Sequence, residues 1–150
     1  MEAICADVRE ATVCYLSRGL NGSEEFLLGK RMKLFMNGRW QGPGGKLTPY
    51  EQSNGRAGIV RCLQRETRQE VSVLVKKESA THIASVDFHH LEEAGGVLSH
   101  HFRWRVHFFT VTAWERSAPH QTARTDVRAV FLLKGKGPSF DESPRCLAPA

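Results

Sequence analysis

Paired cysteines, long apolar runs and an excess of acid are all missing from this 150-residue chain. Its four cysteines, Cys5, Cys14, Cys62 and Cys146, form no Cys-x-x-Cys pair and have no histidine at zinc-finger spacing, which argues against a disulfide framework and against structural zinc. No stretch approaches the roughly 18 apolar residues that span a bilayer, so no membrane partner is expected. Residues 1–8 lack a basic start followed by an apolar run; secretion is not signalled, and the cytoplasm or another intracellular, reducing compartment is expected. Neither an internal repeat nor a second domain is visible. The chain reads as one domain over residues 1–150 with a core of about 11–142. Residues 134–150 are rich in Gly, Pro and Ser without a helical pattern, and the tail 143–150 is expected to be disordered.

What the chain does contain is an ordinary globular balance, 41% hydrophobic and 25% charged, with a net charge of +5. The basic tilt suits a polyanionic partner such as a nucleotide or RNA, although charge speaks to association and not to fold. Strands are predicted by β-branched and aromatic runs. Residues 12–16 and 25–28, separated by turn chemistry at Asn21-Gly22, read as a hairpin, and 71–75, 82–88, 102–112 and 127–133 as further strands. His89, His90, His100 and His101 flank Ala94-Gly95-Gly96 as at a hairpin tip. Adjacent strand residues point to opposite faces, so at most one of each histidine pair could enter a shared metal sphere. Trp104 is expected in the core, with Trp40 and Trp114 left open.

Residues 42–73 are the richest stretch. Gly42, Gly44 and Gly45 crowd around Pro43, which costs backbone entropy and implies either positive φ or close backbone approach. Beyond a loop at Ser53-Asn54-Gly55, the residues Ile59, Val60, Cys62, Leu63 and Thr67 recur at helical spacing and predict a helix over 56–70. Glu66 and Glu70 then stand one turn apart with Gln69 on a flank away from Ile59 and Leu63, facing solvent or a ligand. Two carboxylates on one helix face suggest a divalent cation site.

These residues resemble a Nudix box. Gly45, Glu51, Arg65-Glu66 and Gln69-Glu70 follow the order of the Nudix hydrolase signature, Gly-x5-Glu-x7-Arg-Glu-hydrophobic-x-Glu-Glu-x-Gly-hydrophobic. Residues 27–47, LLGKRMKLFMNGRWQGPGGKL, are similar to the oxidised-purine nucleoside triphosphatase (8-oxo-dGTPase, MutT-type) branch, and the resemblance covers about 12–142. It implies an α/β fold: the Nudix α/β/α sandwich, a mixed, curved β-sheet with the box helix on one side and a reduced C-terminal helix on the other. It also implies Mg²⁺, with Mn²⁺ the alternative ion. The implied reaction is hydrolysis of the pyrophosphate bond of a nucleoside di- or triphosphate, 8-oxo-dGTP or a related oxidised purine nucleotide, to the monophosphate. Such chemistry needs the phosphate charges neutralised while a water is aimed at phosphorus, a task for a hard, oxygen-ligated ion.

By the same resemblance Glu66, Glu70, Arg65 and Glu51 are the catalytic residues, Arg65 orienting the carboxylates from an ion pair with Glu51. Gly45, through its carbonyl, with Glu66, Glu70, Gln69 and Asp126, is the implied metal-binding set. Arg31, Phe35, Gln41, Gly44, Lys46, Phe140, Asp141 and Glu142 are the implied substrate contacts, the two acids reading the purine edge. The chain also departs from the signature. Thirteen residues, not seven, separate Glu51 from Arg65. The six additional ones would turn a helix by about 600°, so an enlarged loop around Ser53-Asn54-Gly55 is expected. Gln69 replaces a glutamate, Ser72 a glycine, and Thr67 stands at a usually apolar position. Gln69, the six additional residues and the basic charge keep one rival open, a catalytically weak or inactive module that binds nucleotide, RNA 5′ ends or a protein assembly; a third possibility is a hydrolase of another diphosphate such as a nucleotide sugar or dinucleotide, since the box reads the phosphates and not the group attached to them. Oligomeric state is left open.

Overall fold

The computed structural model describes residues 8–20, 23–31, 40–116 and 127–133. Strands β1 (Val8–Leu20) and β2 (Ser23–Arg31) form the expected hairpin at greater length, antiparallel with Leu16 opposite Leu27. Side-chain alternation holds the register, because Thr12, Cys14 and Leu16 are buried while Val13 and Tyr15 between them are half-buried. Two short strands follow. β3 (Trp40–Gln41) pairs with β2, and β4 (Gly44–Lys46) pairs antiparallel with residues 11–13 of β1.

Helix α1 (Pro49–Ser53) leads through Asn54 into helix α2 (Gly55–Val71). The enlarged loop expected between Glu51 and Arg65 is therefore not formed; the additional residues are helical. The cause is local. Thr48 and Glu51 make a capping box, Thr48 Oγ1 accepting from the Glu51 N–H at 3.2 Å and Glu51 Oε2 from the Thr48 N–H at 2.8 Å, and Pro49 supplies a helical φ at the first turn. Gly58 then lets the two helices touch, since a Cβ there would overlap the Glu51 carbonyl.

Val71, predicted as strand, closes α2. Ser72 follows in the left-handed conformation (φ 54°, ψ 47°), and β5 (Val73–Val75) begins only after it. β6 (Ala80–Ala94) and β7 (Val97–Val111) form a long hairpin turning at Gly95-Gly96, the predicted tip. β7 runs parallel to β1, from Val8 opposite Arg103 to Leu16 opposite Val111. β8 (Trp114–Arg116), unmarked in the sequence reading, pairs with β5 in a separate two-stranded sheet, and β9 (Val127–Leu133) pairs with β2. The main sheet is thus mixed, ordered β3-β2-β1-β7-β6 with β4 added on β1 and β9 on β2.

Leu63 and Val71 of α2 close the core over Cys14, Leu16, Leu27, Phe109 and Val111, with Val73 and Val75 alongside. Each such aliphatic side chain contributes about 1.5–3 kcal/mol by burial. Trp114 packs against this cluster, whereas Trp104, expected within it, is half-buried elsewhere, edge-on to Phe102. No helix among the described residues is long and apolar enough to cross a membrane. Phe35, Asp126, Phe140, Asp141, Glu142, the C-terminal helix and the tail all lie outside the described residues.

Candidate metal and phosphate site

The glycines at 44 and 45 serve close approach, not positive φ. A Cβ on Gly44 would overlap the Thr12 carbonyl of β1, and one on Gly45 would overlap the Glu66 carboxylate of α2. The helix therefore sits on the strand backbone. Of the two expectations for Glu66 and Glu70, solvent or a ligand, burial removes the first: they are only 2% and 6% exposed. Their spacing along α2 is as read, but β4 covers the flank that carries them, and the Gly44 N–H donates to Glu70 Oε2 at 2.9 Å.

Arg65 ties the pieces together. Its Nε and Nη2 donate to Glu51 Oε1 and Oε2 at 2.9 and 3.0 Å, its Nη1 donates to Glu66 Oε1, and Nη2 also donates to the Lys46 carbonyl at 2.9 Å. One planar guanidinium thus fixes α1, β4 and a carboxylate of α2, a geometry that lysine's single ammonium does not reproduce. The Glu51 bond holds the Arg65 proton more tightly than usual. Burial pushes the Glu51 carboxyl up, but Arg65 and the Thr48 N–H outweigh it, so Glu51 titrates below its ordinary value.

Sequence reasoning missed Cys62. Its thiol lies 3.4 Å from Thr12 Oγ1, donates to the Gly45 carbonyl at 3.6 Å and accepts from Arg65 Nη2 at 3.6 Å. Burial pushes it up to about 11. The available signal was its position one turn before Glu66, on the same side of α2. Thr67, polar where the signature is apolar, is fully buried because its hydroxyl donates back to the Leu63 carbonyl at 2.9 Å.

Gln69 is half-buried and lines a groove with Arg65 and Arg68. Lys46 is exposed, its Nζ 5.1 Å from the centre of the Trp104 ring. Gln41 lies in β3 opposite Gly29, and Arg31 ends β2 opposite Val127. Among the described residues no group of three or more His, Cys, Asp or Glu assembles as a metal cluster. The Glu66 carboxylate lies against Gly45 and the Glu70 carboxylate accepts from the Gly44 N–H; with the Gly45 carbonyl these are hard oxygens, and they fit Mg²⁺ in kind.

Similar architecture is found in solved structures. The Nudix domain of Shewanella oneidensis NrtR complexed with ADP ribose matches over 88% of this chain and 75% of its own at 13% identity, TM-score 0.54. A Nudix hydrolase from Alicyclobacillus acidocaldarius matches over 85% and 79% at 14% identity, TM-score 0.56. The chain has the Nudix fold. A MutT Nudix hydrolase from Burkholderia pseudomallei is also similar, at 23% identity over 85% and 82% with a TM-score of 0.50. No protein-family model and no curated protein matches the sequence. Helix α2, preceded by α1, and strand β4 carry the residues that resemble the box.

Proposed function

We propose that this chain is a Mg²⁺-dependent pyrophosphohydrolase of nucleoside di- or triphosphates, with an oxidised purine nucleotide such as 8-oxo-dGTP as the leading substrate. One observation carries the reading: Glu66 and Glu70 are buried one turn apart against the Gly44-Gly45 backbone, with Glu66 held by an Arg65 that is itself locked to Glu51. Glu66, Glu70 and the Gly45 carbonyl would hold the ion. When bound, Mg²⁺ supplies charge neutralisation for the phosphate chain and a more acidic water.

The protein's own groups set the geometry. Arg65 keeps the Glu66 carboxylate in one orientation, the Gly44 N–H does the same for Glu70, and Lys46, exposed on the same strand, would contact phosphate oxygens. Water adds to one phosphorus, the bridging P–O bond breaks, and a triphosphate yields monophosphate and pyrophosphate. The substrate panel should include ADP-ribose, the ligand of the S. oneidensis NrtR domain, because it too carries a pyrophosphate link.

Mg²⁺-dependent release of pyrophosphate or phosphate from at least one member of a panel of 8-oxo-dGTP, dGTP, ADP-ribose and a dinucleoside polyphosphate is expected. Glu70→Gln should cut kcat/KM by about 100-fold, since a metal centre supplies several kcal/mol. No turnover of any member, or an unchanged rate in Glu70→Gln, overturns the proposal. Tight nucleotide binding without turnover would favour the binding-module alternative.

A further inference from the structure

Helix α2 sorts its charges by face. Its only acids, Glu66 and Glu70, are buried against β4, whereas Arg56, Arg61 and Arg68 are exposed and Arg65 is half-buried. At about 100° per residue, Arg61 and Arg68 lie on the side of the helix opposite Glu66 and Glu70. With Arg65 they line a groove of about 380 Å³ whose wall adds Gln64 and Gln69 and whose floor includes Leu74. Like charges one turn apart on a helix repel. Arg65 is matched by Glu51 and Glu66, but no carboxylate of α2 shares the face of Arg61 and Arg68.

A second feature specifies what the cations meet. Tyr50 of α1 is 60% exposed, and the Arg61 guanidinium lies over its ring, 5.2 Å from the centroid. Leu74 is 42% exposed in the same groove. A ring and guanidinium stacked at the surface form a platform for an unstacked base, and exposed arginines take successive backbone phosphates. Arg61 and Arg68 are about 10 Å apart along the axis, more than a single phosphate spans. A small anion would leave Tyr50 and Leu74 idle, and a duplex keeps its bases stacked inside.

We propose that this groove binds single-stranded nucleic acid, with the phosphodiester backbone on Arg61 and Arg68 and a base against the Tyr50–Arg61 pair. The site is on the far side of α2 from the carboxylates, so the inference does not rest on the hydrolase reading.

The test is fluorescence anisotropy with labelled U12 and dT12 in EDTA, at several salt concentrations. The protein should bind at least one strand at 50 mM salt, with affinity falling as salt rises. Arg61→Gln/Arg68→Gln should weaken binding at least tenfold and flatten the salt slope by about 1.4, the value for two phosphates on a single strand. Tyr50→Ala should weaken it several-fold with the slope unchanged, a pattern that general charge attraction would not give. All these variants should melt as the parent does. Absence of binding at 50 mM salt, or equal binding by the double variant, overturns the proposal. So does full displacement by inorganic tripolyphosphate together with an indifferent Tyr50→Ala, which would mark a small-anion site.

Discussion

Ser72 is the one described non-glycine residue with positive φ, and it stands where the Nudix signature has glycine. A left-handed L-residue costs about 1–2 kcal/mol, so Ser72→Gly should stabilise the protein by about 1 kcal/mol and raise Tm by about 2–4 °C in a thermal melt. Gly45→Ala has the opposite sign. Its Cβ would enter the Glu66 carboxylate, and the expected outcome is a loss of about 1–3 kcal/mol with pyrophosphate release falling in parallel. A third residue sets a pH dependence. His107 is buried on β7, Nδ1 2.8 Å from Ser85 Oγ and Nε2 3.9 Å from Glu10 Oε2, with His82, Asp87 and Arg105 nearby. Burial, aided by His82 and Arg105, holds its proton affinity below the ordinary value against Glu10 and Asp87. Because the unfolded chain then binds the proton better, this contribution is complete above about pH 6.5 and is lost as pH falls toward the folded value. Urea midpoints at pH 8 and 5.5 should differ less in His107→Gln than in the parent.

Among the elements, α1 and its junction with α2 are where sequence and structure part. Strands β6, β7 and β9 were legible because β-branched and aromatic runs carry their own signal, and the tip at Gly95-Gly96 because glycine marks the turn. The carboxylate pair was legible as a spacing. Its burial was not, because what covers a helix flank is a strand brought in from elsewhere, and β4 is three residues of glycine and lysine with no strand propensity. The loop expected after Glu51 misread the same region: Ser53-Asn54-Gly55 looks like a turn, yet the Thr48 cap and the missing Cβ at Gly58 favour two stacked helices. Gly58→Ala should therefore cost about 1–3 kcal/mol by prising α1 from α2, read as a lower urea midpoint, and should weaken catalysis through displaced Glu51. Trp114 rather than Trp104 joined the core because burial of an aromatic is decided by its neighbours, not its type.

At the scale of the molecule, Cys14 reports on the whole fold. It is 1% exposed in the central core, and burial pushes its thiol up to about 12. In the native protein at pH 8 it should resist alkylation, reacting only on unfolding, and peptide mapping of Cys14 after iodoacetamide should give an opening rate that slows when Mg²⁺ and a nucleotide are added. Strand β1 sits at the centre of that fold, taking β2 and β4 early in the chain but β7, with Val8 opposite Arg103, only late. During synthesis residues 44–71 are all made before Val97–Val111 exists, so the nascent chain must wait with one edge of β1 open. A message cut short before β7 would release a polypeptide with residues 44–71 complete and that edge of β1 exposed to pairing with other chains.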